Sequence, residues 1–255
     1  MKVLWVVAHP EQRSLNSALR EEGVHALTEA GHSVQVSDLY AMKWKAVVDR
    51  DDFTDGLDER FVVPNALVAA YNAGTAAPDI LAEQEKIAWA DTLVVQFPLW
   101  WQGMPAILKG WFDRVFAMGF VMDTRPHPGA TPRYGQGELE GKRALAVVTT
   151  GHGAESYGPR GINGPIDQIL FPLLHGTLWY AGMSVLPPVV VHRAGWMPEE
   201  KYPAAAALVR ERVLAIEETA PLPFRYQNHG DYDDDLVLRP EIDADAGGLG
   251  VHYLG

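Results

Sequence analysis

Short apolar runs alternate with longer stretches of helical periodicity along this chain. Val3 to Val7 is Val-rich, too brief for a helix and apolar at successive positions. That pattern marks a strand covered on both faces of a parallel sheet. A helix follows, with Ser14 as its cap, Leu15, Leu19, Ala26 and Ala30 on one face, and Gly31 closing it. Val34 to Leu39 predicts a second strand and Ala66 to Tyr71 a short helix. Pro78 sits where a first helical turn tolerates proline, and Ile80, Leu81, Gln84, Ile87 and Ala88 keep helical spacing. Thr92 to Phe97 reads as a third strand, Pro105 to Met118 as a helix, and Arg143 to Thr149 as a fourth strand. Ile166, Ile169, Leu170, Leu173, Leu174 and Leu178 form the strongest helical stripe, with a kink expected at Pro172. Ser184 to Val191 predicts a fifth strand that Pro187-Pro188 pushes to the sheet edge. Pro198 to Glu218 closes the series as a helix.

Five strands alternating with helices predict an α/β fold with a doubly wound parallel sheet. The flavodoxin-like order 2-1-3-4-5 is favoured over a two-half dinucleotide fold, because there are five strands and the first turn lacks glycines. Residues 1–218 are expected to form this domain. From Thr219 onward Pro, Gly and Asp dominate and periodicity stops. Residues 219–255 are then either disordered or an irregular C-terminal arm. The apolar end, Leu249 to Leu254, favours an arm laid on the same domain or on a dimer partner.

Composition narrows the function classes. The 255 residues carry 21 Lys plus Arg against 33 Asp plus Glu, a net charge of −12. Nucleic-acid and anionic-membrane surfaces want clustered positive charge, so neither is expected as a partner. Cysteine is absent, which removes disulfides, thiolate metal sites and a Cys nucleophile. No apolar run approaches a membrane span and no signal-peptide pattern follows Lys2. These features predict a soluble, acidic, cytoplasmic protein.

Ligands of open parallel sheets bind outside the carboxyl ends of the strands, which nominates three loops. The first, His9-Pro-Glu-Gln-Arg-Ser-Leu-Asn16, opens a helix. Its backbone amides, with Ser14, Asn16 and Arg13, make either a phosphate cradle or only a helix cap. It lacks the Gly-Lys-Ser/Thr ending of a Walker loop, and His9 with Glu11 is too small a set for a metal. The second loop, Pro98-Leu99-Trp100-Trp101-Gln102-Gly103, puts two indoles at a strand end. They suit a flat aromatic ligand, or else pack on the next helix or in an interface. The third, Thr149-Thr150-Gly151-His152-Gly153, leads on to Tyr157 and Asn163. Its glycines allow close approach to a ring, and Tyr157 offers a hydrogen bond. Together these describe a flavin mononucleotide moiety, with phosphate at the first loop and isoalloxazine between the other two.

The same residues resemble the NAD(P)H:quinone oxidoreductase family, the DT-diaphorase-like branch of the flavodoxin-like flavoproteins. The matching segments are His9 to Asn16, Ser37 to Met42, Pro78 to Gln84, Gln96 to Trp101, Pro105 to Phe116 and Thr149 to Gly151. Similarity weakens beyond Trp196 and returns in Gly247 to Gly255. The resemblance implies an NAD(P)H dehydrogenase (quinone): a homodimer with two composite sites, FAD rather than FMN, and two-electron, ping-pong reduction of quinones by NADPH or NADH. It also implies the residue roles. His9, Arg13, Ser14, Leu15 and Asn16 match positions around the flavin phosphates. Pro98, Leu99, Trp100, Trp101 and Gln102 flank the isoalloxazine, and Thr149, Thr150, Gly151 and His152 form the opposite wall. Tyr157 matches the tyrosine that stabilises charge at the flavin edge.

The departures from the family pattern are local. Asn163 stands where well-known members carry the histidine partner of that tyrosine, and an amide cannot supply a proton as imidazolium does. Met122 and Thr124 occupy the places of substrate-gating tyrosines, and Val121 to Tyr134 is rebuilt around Pro126, Pro128 and Pro132. Trp101, Gln102, Met122, Thr124 and, from the partner subunit, Tyr180 are the expected substrate-binding positions. Gly151, His152, Tyr157 and Asn163 are the expected catalytic ones. Azo and nitroaromatic acceptors are variants of the same chemistry. An ancillary regulatory subunit of a potassium-efflux system is the alternative from another class.

Overall fold

The computed structural model of the chain describes residues 1–53, 60–125, 127, 130–243 and 247–254. Pro126 and Pro128 of the rebuilt segment, and Gly255 of the tail, lie outside them. The sheet contains β1 (Lys2–Val7), β2 (Ser33–Asp38), β3 (Thr92–Pro98), β4 (Arg143–Thr149), β5 (Ser184–Val185) and β6 (Val189–Val191). All described pairings are parallel, in the order β2-β1-β3-β4-β5, with β6 also on β4. The predicted order is therefore the observed one. The predicted fifth strand, however, is two pieces. Pro187 and Pro188 have no amide to give a ladder, so pairing with β4 stops after Val185 and resumes at Val189.

Among the described residues six α-helices cover the sheet: α1 (Leu15–Glu29), α2 (Val63–Ala73), α3 (Pro78–Trp89), α4 (Ala106–Val115), α5 (Ile166–Leu173) and α6 (Tyr202–Leu214). The last is shorter than the sequence pattern predicts, because Pro198 to Lys201 forms a separate turn and the chain leaves the helix after Leu214. Alternate residues of each strand feed two cores. Val3, Trp5, Val7, Val94, Leu145 and Val147 pack on α1 and α6. Leu4, Val6, Leu93, Val95, Ala144 and Ala146 pack on α2 to α5. This two-sided burial explains why the strands read as continuous apolar runs.

Two local features shape the frame. Pro172 lacks the amide that would continue the helical ladder, and from Leu174 to Trp179 the chain goes on in wider π-type turns. In α4, a side chain at Gly110 would place its Cβ 1.9 Å from the Ala46 carbonyl oxygen, so only glycine permits this approach. The segment after Thr219 runs back over α5. The Leu222 amide donates to Val185 O (2.7 Å), and Trp179 Nε1 donates to Arg225 O (3.2 Å). Arg225 is the staple: it donates to Val251 O (2.9 Å) and Asp231 Oδ2 (2.8 Å), and also binds Asp243.

Candidate active site at the carboxyl edge of the sheet

A buried polar chain runs from the core to the mouth between β1, β3 and β4. Trp5 Nε1 donates to Gln96 Oε1 (2.8 Å), and Gln96 Nε2 donates to Asn16 O (2.7 Å). Asn16 Nδ2 donates in turn to Thr149 Oγ1 (2.9 Å). Each bond is buried, so each costs more to break than to keep. Together they fix the start of α1 against the end of β4. Asn16 Oδ1 is buried there with no partner.

Ser14 caps α1, accepting from the Ser17 amide (3.2 Å). The amides of Leu15 and Asn16 have no acceptor among the described residues. Free first-turn amides at a helix start are suited to an anion. Arg13 is not aimed at them. It pairs with Glu11 in the same loop (3.3 Å) with its side chain 91% exposed; the Arg13 backbone amide and then its guanidinium lower the Glu11 carboxyl below its usual range. His9 Nδ1 lies 3.1 Å from the backbone of Glu11, which folds the loop back on itself.

The Pro98 to Gly103 loop is a two-residue hairpin. Trp100 N donates to Gly103 O (2.9 Å) and Gly103 N to Trp100 O (3.0 Å). Trp101 and Gln102, the two central residues, sit at φ +52° and +60°. Side chains rarely occupy this left-handed region, and each such position costs about 1–3 kcal/mol. The hairpin leaves Trp101 fully exposed and Trp100 nearly half exposed. Neither indole is packed away on the following helix. His9 and Trp100 stand with ring centroids 6.2 Å apart across the mouth.

The third loop closes the other side. Leu99 N donates to Thr149 O (2.8 Å), joining the second and third loops at their base. A Cβ at Gly151 would meet no atom within 4 Å, so the wall there is open backbone. Gln102 Nε2 donates to Asn163 Oδ1 (3.1 Å), and Asn163 Nδ2 reaches His152 Nδ1 (3.4 Å). In that orientation His152 Nδ1 accepts and its Nε2 carries the proton. Tyr157 is buried, with its ring 5.7 Å from His192.

His192 was not singled out by the sequence pattern. It follows β6, and the strand-end rule that nominated the other loops applies equally to it. Thr150 Oγ1 donates to His152 O (3.0 Å), so the His192 Nδ1 beside it (3.0 Å) is the donor of that pair. The His192 Nε2 lone pair is left free. Burial lowers the His192 pKa, which favours the neutral ring.

Met122, Thr124 and Tyr180 make no hydrogen bond or ring contact with these loops among the described residues. Tyr180 hydroxyl instead meets Met122 Sδ (2.9 Å). Tyr180 lines a cleft of about 300 Å³ with Met104, Lys109, Phe112 and Thr177. No group of three or more His, Asp or Glu among the described residues is placed to hold a metal.

Comparison with known proteins agrees with this geometry. A family profile described as the flavodoxin-like fold matches residues 1–213. A ribosyldihydronicotinamide dehydrogenase-like protein of Penicillium crustosum is 47% identical, covering 99% of this chain and 95% of its own. NAD(P)H dehydrogenase [quinone] 1 of Cavia porcellus is 37% identical over 100% of this chain and 94% of that protein. A candidate quinone reductase of Klebsiella pneumoniae, solved as a crystal structure, is 50% identical over the full length of both chains, with a TM-score of 0.96. With likeness of this extent, and with the strand order and loop positions above, the chain belongs to the NAD(P)H:quinone oxidoreductase family of flavodoxin-like flavoproteins.

Proposed function

We infer that the protein reduces quinones with NADPH or NADH through a bound flavin. The observation that carries this reading is the convergence, on one sheet edge, of free helix-start amides, an upright pair of indoles and an open glycine wall. The full-length relatives named as quinone dehydrogenases support it. The residues fit a flavin. The amides of Leu15 and Asn16 suit its phosphate, Asn16 Oδ1 is an acceptor without a donor, and the backbone at Gly151 leaves room for a flat ring. When bound, a flavin supplies two-electron transfer from the nicotinamide to the acceptor. FAD rather than FMN is the form the family resemblance favours.

The chain's own groups bind, orient and balance charge. Trp100 and Trp101 offer faces to planar rings and exclude water from them. The Gln102–Asn163–His152 chain holds the two flanking loops in register and leaves the His152 Nε2 proton without a partner among the described residues. Tyr157, with neutral His192 beside its ring, supplies a hydroxyl to developing negative charge. Met122 and Tyr180 contact each other rather than these loops, so they can serve the site only from a second copy of the chain. That requirement, with fully exposed Trp101 and Ile162 at the rim, supports a homodimer with composite sites. A cytoplasmic setting suits a cysteine-free, NAD(P)H-using protein.

The test is the visible spectrum of the purified protein before and after anaerobic NADPH or NADH. It is followed by chromatography of the released cofactor and turnover with 2-methyl-1,4-naphthoquinone. A yellow protein that bleaches, yields FAD and turns over the quinone is expected. A protein that neither carries nor takes up flavin would overturn the reading.

A further inference from the structure

A second cavity lies away from the strand ends, between α5 and the C-terminal segment. Its volume is about 350 Å³, enough for one or two fused rings. Phe171 stacks on His175 (centroids 4.5 Å apart, 14° between planes), and Tyr134 stands 4.9 Å from the same imidazole. From the C-terminal segment come Tyr232 and His252, joined by a 2.8 Å bond between the Tyr232 hydroxyl and His252 Nδ1. His252 approaches His175 at 5.5 Å. The walls are therefore aromatic from both sides, and both sides are held together by the Arg225 staple.

The His175 ring is more than nine-tenths buried and neither of its nitrogens has a hydrogen-bond partner among the described residues. Nε2 is sealed from solvent, which leaves Nδ1 as the nitrogen of this ring that a ligand can reach. A ligand hydroxyl would give Nδ1 a hydrogen-bond partner it lacks within the chain, while Nε2 stays sealed. Burial holds the His175 pKa at about 4, so the ring is neutral near pH 7 and Nδ1 meets a hydroxyl as donor or acceptor according to its tautomer.

Charge selects the ligand. Arg225 lines the cavity and repels a cation. Its guanidinium is already bracketed by Asp231 and Asp243, which repel an anion. A neutral flat ring bearing a hydroxyl meets neither penalty. We propose that this cavity is a binding site for small neutral hydroxyaromatic compounds, with the ring between the Phe171–His175 stack and Tyr232–His252 and the hydroxyl on His175. The cavity lies away from the strand-end loops of its own chain, and the proposal does not rest on the quinone-reductase reading.

The test uses the full-length protein at pH 7, with 2-naphthol as the probe and naphthalene as the hydroxyl-free control, followed by calorimetry. The His175 ring proton is followed in parallel by NMR. Saturable 2-naphthol binding that shifts the His175 signal is expected. His175→Phe should weaken it at least tenfold while leaving naphthalene binding unchanged. Gly176→Leu, at a lining position where a Cβ meets nothing within 4 Å, should block both probes. Trp101→Ala should leave 2-naphthol binding as it is. Three results would each overturn the proposal: no saturable binding to the wild type, equal binding by Gly176→Leu, or loss of binding in Trp101→Ala, which would place the probe at the strand-end site.

Discussion

Trp101→Ala separates the candidate site from the fold. The indole is fully exposed, so its removal deletes no packing from the folded chain. Alanine keeps a Cβ at φ +52°, so the backbone strain is also unchanged; glycine would release it and confuse the result. A flat ligand covering one face of the indole removes about half of its roughly 200 Å² from water. At about 25 cal/mol per Å² that is about 2.5 kcal/mol, or roughly 60-fold in affinity. The assay is paired: thermal or urea unfolding of the apoprotein, and flavin retention with acceptor KM in the holoprotein. Unfolding should be unchanged, while flavin Kd or acceptor KM rises between about 10- and 100-fold. A destabilised apoprotein would show that Trp101 supports the fold. Unchanged Kd and KM would remove it from the site.

Three further outcomes follow from the geometry. Tyr157→Phe should slow reduction by NADPH about tenfold or more, and Asn163→His should introduce a new pH dependence near neutrality; stopped-flow pH profiles unaltered in both would dismiss the pair. Gly110→Ala, with its Cβ forced onto the Ala46 carbonyl, should cost about 1–3 kcal/mol or more in urea unfolding, and a wild-type midpoint would refute the close approach. His175 carries a pKa depressed to about 4, so the stability it contributes is complete above the unfolded value near 6.5 and lost as pH falls towards 4. The loss is at most about 3–4 kcal/mol. His175→Phe should flatten that part of the urea midpoint-versus-pH curve, and equal slopes would refute the burial argument.

Much of the frame was legible because each signal is local. Runs such as Val3 to Val7 are apolar at every position because both faces of the sheet are covered. Ser14 caps α1 whatever lies opposite it. The Pro187-Pro188 pair forecast an edge position, although not the interruption of pairing that divides β5 from β6, since that depends on where the β4 amides stand. The limits of α6 were also misread, because an isolated turn at Glu199–Lys201 has the same local composition as a helix start.

The candidate site was legible as three loops but not as a set of contacts. Sequence determined that His9 to Asn16, Pro98 to Gly103 and Thr149 to Asn163 would meet at one sheet edge, since strand order and right-handed crossovers leave no other place for them. Only the tertiary structure decided that Asn163 would bridge Gln102 and His152, that Arg13 would turn to Glu11, and that His192 would stand beside Tyr157. The Asn163 and His192 contacts join residues up to 61 apart, and even the two-residue Arg13–Glu11 pairing depends on how its loop folds back. The aromatic cavity is the extreme case. Phe171 and His175 lie on the helical segment but outside its apolar stripe, Tyr232 and His252 lie in an aperiodic tail, and only the docking of that tail by Arg225 puts them in one space.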